Sequence, residues 1–448
     1  MDRQKQLTRD QLETLALRFE IARAFDLSEA ALRQALERKA SEYRLLRRQI
    51  SEIDEKSAEI GRLKASARIA TDALDFAEVE SILSELDRLE SEGAVQAKEL
   101  RAQNALLRGQ VDQAYKFYSA AADSYSTTDP TEVARKRIIT YHNSLRRYGL
   151  SNPNSGLSAA LQILEDAKSL QELQDNPWLS AACENSFGVT LLEQGRRAQG
   201  DEAYSLLRQA LKSFERALLV RTQNKYPDDW AMTIQNEGVA LLSLGEKIDG
   251  IEAIHQYDLA IKKLSQSLEV RGRDTFPQKW ALTKHNIGCC YKAISERTND
   301  KLSSLILAKE NFVAALQVRS REDHSYDWAV SQSELGSTKA LLASISCDLE
   351  AEKLFEEAEM HLNNALLIRK KDDFLIQWAI TTMEQAKLFL AMALHNTCDD
   401  RSGRLSDALE LVENAEAVFK TDFTPEEYSK ALKLKSEITY IVANESGK

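Results

Sequence analysis

The chain has 448 residues, with 59 basic and 70 acidic side chains and a formal net charge of −11 at pH 7. Single cores stop growing near ~250–300 residues, so this length predicts two or three domains or one long repeat array. The negative charge disfavours general attraction to nucleic acids or anionic membranes. The apolar stretches fall short of the ~20 residues that span a bilayer, which excludes an integral membrane protein.

Helix-favouring residues dominate the composition, and only 6 Pro and 16 Gly interrupt it, so the chain is predicted to be nearly all helical. The five cysteines are an odd number and form no C-x-x-C pair. No secretory signal follows Met1. We therefore expect free thiols and a cytoplasmic location.

The N-terminal segment, residues 1–96, is expected to form a helical arm. Between residues 28 and 74 there is no Pro and a single Gly, and apolar residues follow alternating steps of three and four. These residues are Tyr43, Leu46, Ile50, Ile53 and Ile60. The spacing predicts a long helix packed along another, as in a coiled-coil hairpin, which offers a second interaction surface or a dimer contact.

Residues 97–175 are interpreted as degenerate helical hairpins. In "NALLRGQVDQAYKFYSAAADSY", Gly109 is followed by Ala114, Tyr118 and Ala121, a spacing that resembles the tetratricopeptide repeat (TPR) family. The next stretch, "ARKRIITYHNSLRRYG", contains the basic residues Arg137, Arg146 and Arg147. With neighbouring aromatics these could contact nucleic acid. On an acidic chain a solvated helix face is favoured, so nucleic acid is an unexpected partner.

Residues 176–422 contain an internal repeat of about 50 residues. The five Trp lie at positions 178, 230, 280, 328 and 378. An Arg precedes each of the last four by nine residues, an Ala follows directly, and a Gly stands eight residues later in three of them. The arginines are Arg221, Arg271, Arg319 and Arg369. A fixed period of this length predicts stacked helical hairpins, each first helix capped by an acid such as Asp228 or Asp229.

The W-A-x-T-x-x-N-x-G pattern resembles the TPR-like arrays of bacterial signalling and conflict proteins. The period exceeds the 34 residues of an ordinary TPR, so longer helices and connections are expected. The resemblance implies an all-α, right-handed superhelical α-solenoid that follows the long-helix, coiled-coil-like N-terminal segment. Residues 423–448 are expected to cap the stack, starting with a capping box from Thr424 to Glu427.

Residues that recur at one position of successive repeats form a column, and each column allows more than one role. For the Trp column a packing role is favoured over a ligand cage. The Arg column is interpreted as closing helix ends and bridging to Asp229 or Asp327, with anion binding as the alternative. In the TPR frame, Asn236 and Asn286 face the concave groove, where an amide can hold a peptide main chain; they could instead tie adjacent helices together.

The candidate groove changes from neutral amides to acidic residues along the array, so it would suit a segment that ends in basic residues. The candidate contact residues are Asn236, Asn286, Gln235, His285, Cys289, Glu334, Glu384 and Lys387.

No motif for phosphate binding, zinc hydrolysis or a serine nucleophile is present. His285 and Cys289 are four residues apart and could form a nucleophile or hold a metal, but no third group has a matching spacing. We therefore expect no enzyme activity, no catalytic residue, no metal and no cofactor.

The sequence predicts a protein-binding scaffold or adaptor that holds a partner segment in its groove. The alternative is a sensor or regulatory subunit of a bacterial signalling or defence system acting with a separate effector enzyme. It rests on "ATDALDFAEVESILSELDRLESEG", which resembles segments that precede such repeats in proteins with TIR, CHAT-protease or NTPase domains. A third hypothesis is a nucleic-acid-responsive regulator.

Overall fold

The computed structural model describes residues 7–21, 24–27, 29–53, 58–89, 93–152, 156–396, 398–421 and 425–445. All regular secondary structure within these ranges is helical, as the composition predicted. Contacts divide the chain into two compact units, Met1–Tyr226 and Pro227–Lys448. The fold is an all-α solenoid of helical hairpins, and none of its described helices is both long and apolar enough to cross a membrane.

The first part of the N-terminal unit is a five-helix core. Its helices are α1 (Arg9–Arg18), α2 (Glu29–Ser51), α3 (Ala58–Asp72), α4 (Phe76–Leu89) and α5 (Gly93–Leu107), with a 3₁₀ turn at Ala24–Asp26. All five contribute to one buried cluster, which includes Leu12, Leu32, Ala67, Val79 and Leu100.

The stretch from 28 to 74, predicted as a long helix packed along another, contains two helices. Helix α2 ends at Ser51 and α3 begins at Ala58, and the two helices pack against each other. Leu46 and Ile50 enter the five-helix cluster rather than a two-helix seam. A spacing of three and four defines an apolar stripe but not how many helices cover it.

The rest of the N-terminal unit is a run of hairpins. It contains α6 (Val111–Asp123), α7 (Pro130–Arg135), a π-helical segment (Lys136–Tyr141), α8 (His142–Ser151), α9 (Gly156–Lys168), α10 (Gln171–Asp175), α11 (Pro177–Arg197) and α12 (Gly200–Leu218). Gly109 lies between α5 and α6 with a φ of 74°, a conformation that favours Gly. Ala114, Tyr118 and Ala121 are buried, which confirms the hairpin predicted there.

The C-terminal unit is a stack of four hairpins and a last helix. Its helices are α13 (Pro227–Glu246), α14 (Gly250–Ser267), α15 (Pro277–Ser295), α16 (Lys301–Leu316), α17 (Ser325–Ala343), α18 (Asp348–Leu366), α19 (Leu375–Leu394), α20 (Arg401–Thr421) and α21 (Pro425–Glu445). Each odd-numbered helix from α13 to α19 pairs with the helix that follows, and each also contacts the next odd-numbered helix. We call α13, α15, α17 and α19 the A helices and their partners the B helices.

The predicted starts and ends of these helices lie close to the observed ones. Helix α13 begins at Pro227, so Asp228 and Asp229 lie in its first turn rather than before it. Helix α21 packs on α20 as the last element, whereas the predicted cap Thr424 lies outside the described residues. The segment borders at 96, 175 and 422 remain predictions.

Small residues let each A helix approach its B helix closely. A methyl group added at Gly238 would lie 2.8 Å from Leu264 Cγ, and one added at Gly288 would lie 2.7 Å from Phe312 Cε1. The Ala that follows each Trp is fully buried in all four A helices. The repeated Ala and Gly therefore lie where the two helices pack closely, as predicted.

Candidate partner-binding site

The A helices present a repeated row of accessible positions. Residues two, six and nine after each Trp share a helix face, because these spacings follow the 3.6-residue turn. All of them except Ser337 are at least partly exposed. We call this set the A-face: Met232, Asn236 and Val239; Leu282, Asn286 and Cys289; Val330, Glu334 and Ser337; Ile380, Glu384 and Lys387.

One row of the A-face is apolar in every repeat. It consists of Met232, Leu282, Val330 and Ile380. Leu282 is 41% exposed, and the other three are half-buried. The TPR frame predicts that these four residues face inward at the second position of each first helix, although they are not among the candidate contact residues.

The neighbouring row is polar. Within the described residues, the amide of Asn286 forms no hydrogen bond. Glu334 accepts a hydrogen bond from Lys292 at 2.9 Å, and Glu384 accepts one from Lys387 at 2.6 Å. Burial opposes the charge of Glu384, but Lys387 and Lys292 outweigh burial and lower its pKa to about 2. Both carboxylates are thus charged yet partly compensated, so the predicted acidic trend is weaker than a count of acids suggested.

Two predicted contact residues lie beneath this face. Gln235 and His285 are only 6% and 7% exposed, because the position five residues after Trp points between neighbouring A helices. Gln235 accepts a hydrogen bond from Arg271 Nη1 at 2.9 Å, and His285 Nδ1 lies 3.2 Å from Ser331 Oγ. These side chains therefore support the A-face rather than form part of it.

The Arg column of the C-terminal unit is buried and joins helices. Arg271 donates to Asp228 Oδ1 at 2.9 Å, Arg319 to Ser331 Oγ at 2.6 Å and Arg369 to Thr381 Oγ1 at 3.0 Å. These contacts support the structural interpretation. Arg271 also donates to the backbone carbonyl of Asp228, at 3.2 Å. Asp327 receives Arg319 through its backbone carbonyl, at 3.3 Å.

The Trp column is half-buried in all five copies, so the rings are not part of a closed core. Lys371 Nζ lies 4.8 Å from the Trp378 ring centroid, and Arg273 Cζ lies 5.6 Å from that of Trp280. Such cation–π contacts add to the packing of these two rings.

His285 and Cys289 do meet, with Nε2 3.6 Å from Sγ. Burial, assisted by Arg319, lowers the pKa of His285 to about 4. Burial also raises the pKa of Cys289 well above its ordinary value. At neutral pH the pair is thus a thiol and a neutral imidazole, without the thiolate that a nucleophile needs. All five cysteines are free, and no cluster of three or more metal-ligating side chains occurs in the described ranges.

The basic stretch of the N-terminal unit does not form one surface. Arg137 is 8% exposed and pairs with Asp123 at 2.6 Å. Lys136 contacts Glu99 at 3.2 Å, whereas Arg147 is exposed. Successive residues of a helix point in different directions, so a cluster in sequence is dispersed in space.

Comparisons with known proteins were made for the whole chain. No family model and no curated protein matches it. Among solved structures, the chain is similar to the apo form of RapI, at 12% identity and a TM-score of 0.42, covering 89% of this chain and 99% of RapI. It is also similar to a monomeric IFIT1 mutant with m7Gppp-AAAA, at 14% identity and a TM-score of 0.32, covering 96% and 100% of the two chains. The human IFIT1 dimer with m7Gppp-AAAA matches at 16% identity and a TM-score of 0.27, covering 97% and 99%. With TM-scores this low, the comparisons assign no function to any residue of this chain.

Proposed function

We propose that the C-terminal unit is a non-enzymatic scaffold that binds a segment of another protein across the A-face. The observation that carries this proposal is the apolar row Met232, Leu282, Val330 and Ile380, repeated on adjacent helices and left partly exposed. An apolar row beside polar side chains is the pattern of a groove that receives the apolar side chains of a helical or extended peptide.

The polar row supplies the orientation of such a segment. Asn286 offers one acceptor and two donors to a peptide main chain. Glu334 forms an ion pair with Lys292 and Glu384 forms one with Lys387, and a carboxylate has acceptor sites for a further donor. A partner with apolar residues followed by basic ones would therefore fit this face. The suppressed ionisation of Cys289 and His285 supports a binding role over catalysis there.

The test is affinity purification of the full-length protein from its native host, followed by identification and direct binding of what is retained. Leu282→Glu combined with Asn286→Ala places a charge in the apolar row and removes the free amide. We expect the affinity for the partner to fall at least tenfold, about the loss of one or two interface anchor residues.

The matched control is Leu302→Glu on the neighbouring B helix α16, where the leucine is 51% exposed. It should bind like the wild type. Equal binding by the A-face variant and this control would contradict the proposal.

An effector enzyme among the partners would support the narrower role of a regulatory subunit. Retention of nucleic acid that is lost in Arg146→Glu plus Arg147→Glu would support the nucleic-acid-responsive alternative.

A further inference from the structure

The N-terminal unit contains a cavity of about 280 Å³ that shares no residue with the A-face. It lies among α2, α5, α6 and α8. Ligand pockets span ~300–1,000 Å³, so this cavity would suit a small molecule or a single residue of a peptide. No sequence pattern indicates it, because its walls come from four separate helices.

A buried lysine joins three of the four helices that form the walls. Lys39 is 7% exposed and donates hydrogen bonds to the backbone carbonyls of Leu106, at 3.2 Å, and Leu107. Its ammonium also lies 5.6 Å from the centroid of the Tyr148 ring. Helix α2 is thereby tied to the end of α5 and to α8, which keeps the cavity open in a defined shape.

The inner wall is apolar and aromatic. Tyr118, Tyr148 and Leu106 line it and are 2%, 8% and 8% exposed. The Tyr118 ring stacks on Tyr141 with centroids 4.7 Å apart. Burial raises the pKa of Tyr148 to about 12, so its hydroxyl stays neutral. This wall suits an apolar side chain.

The charged side chains at the cavity favour an anion. Arg38 and Arg147 both line it, and Arg147 makes no ion pair or hydrogen bond with any described residue. Glu42 is the acid among the lining residues; it lies 3.4 Å from Lys39 and also acts electrostatically on Arg38. This local excess of positive charge contrasts with the net charge of −11 of the whole chain. It favours a carboxylate ligand, because guanidinium groups form paired hydrogen bonds with carboxylates.

One buried hydrogen-bond acceptor in the cavity wall has no donor among the described residues. Gln103 lines the cavity, and its Oε1 is buried without a hydrogen bond from any described residue. Buried polar atoms normally have a partner, so an N–H from a bound molecule would satisfy this oxygen.

We propose that this cavity binds an N-acylated apolar amino acid with a free carboxylate. The carboxylate would pair with Arg147 and Arg38, the amide N–H would donate to Gln103, and the side chain would pack against Tyr118 and Leu106. The same chemistry occurs in a free N-acyl amino acid and in the C-terminal residue of a peptide chain.

Binding is tested on the full-length protein by isothermal titration calorimetry with three probes. They are N-acetylphenylalanine, N-acetylphenylalaninamide and a Ser-Gly-Ser-Gly-Ser-Phe peptide with a free C-terminus. We expect N-acetylphenylalanine to bind and its uncharged amide to bind at least tenfold more weakly. A peptide that binds more tightly than N-acetylphenylalanine would assign the site to chain termini, and the reverse order would assign it to a free metabolite.

Two variants connect binding to the cavity. Arg147→Gln should weaken the binding of N-acetylphenylalanine about tenfold, and Gln103→Leu should weaken it by a smaller factor. Arg208→Gln removes an exposed arginine of α12 that lines no part of the cavity, and it should leave binding unchanged. The proposal is overturned if neither carboxylate probe binds the wild type, or if Arg147→Gln binds as the wild type does.

Discussion

At the scale of single residues, the C-terminal unit buries polar side chains where its A helices meet. His285 lies beneath the A-face, next to Ser331 and Cys289, and its ring centroid is 5.3 Å from that of Phe312. The charged groups that act on it are Arg319, Glu334, Arg369 and Lys292. Burial has the largest effect, so the imidazole is neutral in the folded state.

This burial predicts a pH dependence of stability. The pKa of His285 is about 6.5 in the unfolded chain and about 4 in the folded chain. The unfolded chain therefore binds the proton more tightly. The stability is therefore complete above about pH 6.5 and falls as the pH drops towards 4, by about 3 kcal/mol for this residue. Denaturant midpoints between pH 7.5 and 5.0 should decrease less in His285→Gln than in the wild type. Gln occupies the equivalent position at Gln235, so the variant is expected to fold. Identical pH profiles would count against this account.

At the scale of elements, three of the four hairpins of the C-terminal unit depend on contact between the A helix and the B helix without an intervening Cβ, at Gly238, Gly288 and Gly336. Phe312 is fully buried and lies directly over Gly288. Gly in a helix interior costs up to ~1 kcal/mol in propensity, so its presence there reflects packing rather than helix formation.

Gly288→Val should therefore destabilise the C-terminal unit by about 1–3 kcal/mol, because its Cβ alone would lie 2.7 Å from Phe312 Cε1. The measurement is thermal unfolding followed by circular dichroism. Gly272→Val is the control, since a Cβ there would meet no atom within 4 Å. Shortening the opposing side chain, in Gly288→Ala with Phe312→Leu, should restore much of the loss relative to Gly288→Ala. Equal melting temperatures for Gly288→Val and Gly272→Val would refute close packing as the cause.

At the scale of the whole molecule, the chain forms two compact units that meet in sequence between Tyr226 and Pro227. In repeat proteins each hairpin is stabilised mainly by its immediate neighbours. We therefore expect the C-terminal unit, with its four hairpins and terminal helix, to fold by itself.

We expect a fragment of residues 227–448 to retain a helical circular dichroism spectrum and a cooperative thermal transition. A fragment of residues 247–448 lacks α13, so it exposes the face of α14 that α13 covers. It should unfold at a lower temperature. A longer fragment without a cooperative transition would show that the C-terminal unit does not fold independently.

The repeat architecture was predictable because it is encoded locally. The Ala after each of the last four Trp and the small residue at Gly238 mark contacts within one hairpin, and the structure confirms that they are closely packed. The N-terminal arm was less predictable. Its apolar stripe was correct, but the break between Ser51 and Ala58 and the five-helix cluster depend on helices distant in sequence.

By itself, the sequence determined the helical class, the period of the hairpins and which helix face carries Asn236 and Asn286, since helix propensity and a 3.6-residue turn act between near neighbours. Only the tertiary structure decided that Gln235 and His285 lie beneath that face and that Arg271 pairs with Asp228. It also decided that residues as far apart as Arg38 and Tyr148 line one cavity. Such contacts depend on how whole helices pack, and no spacing along the chain specifies that packing.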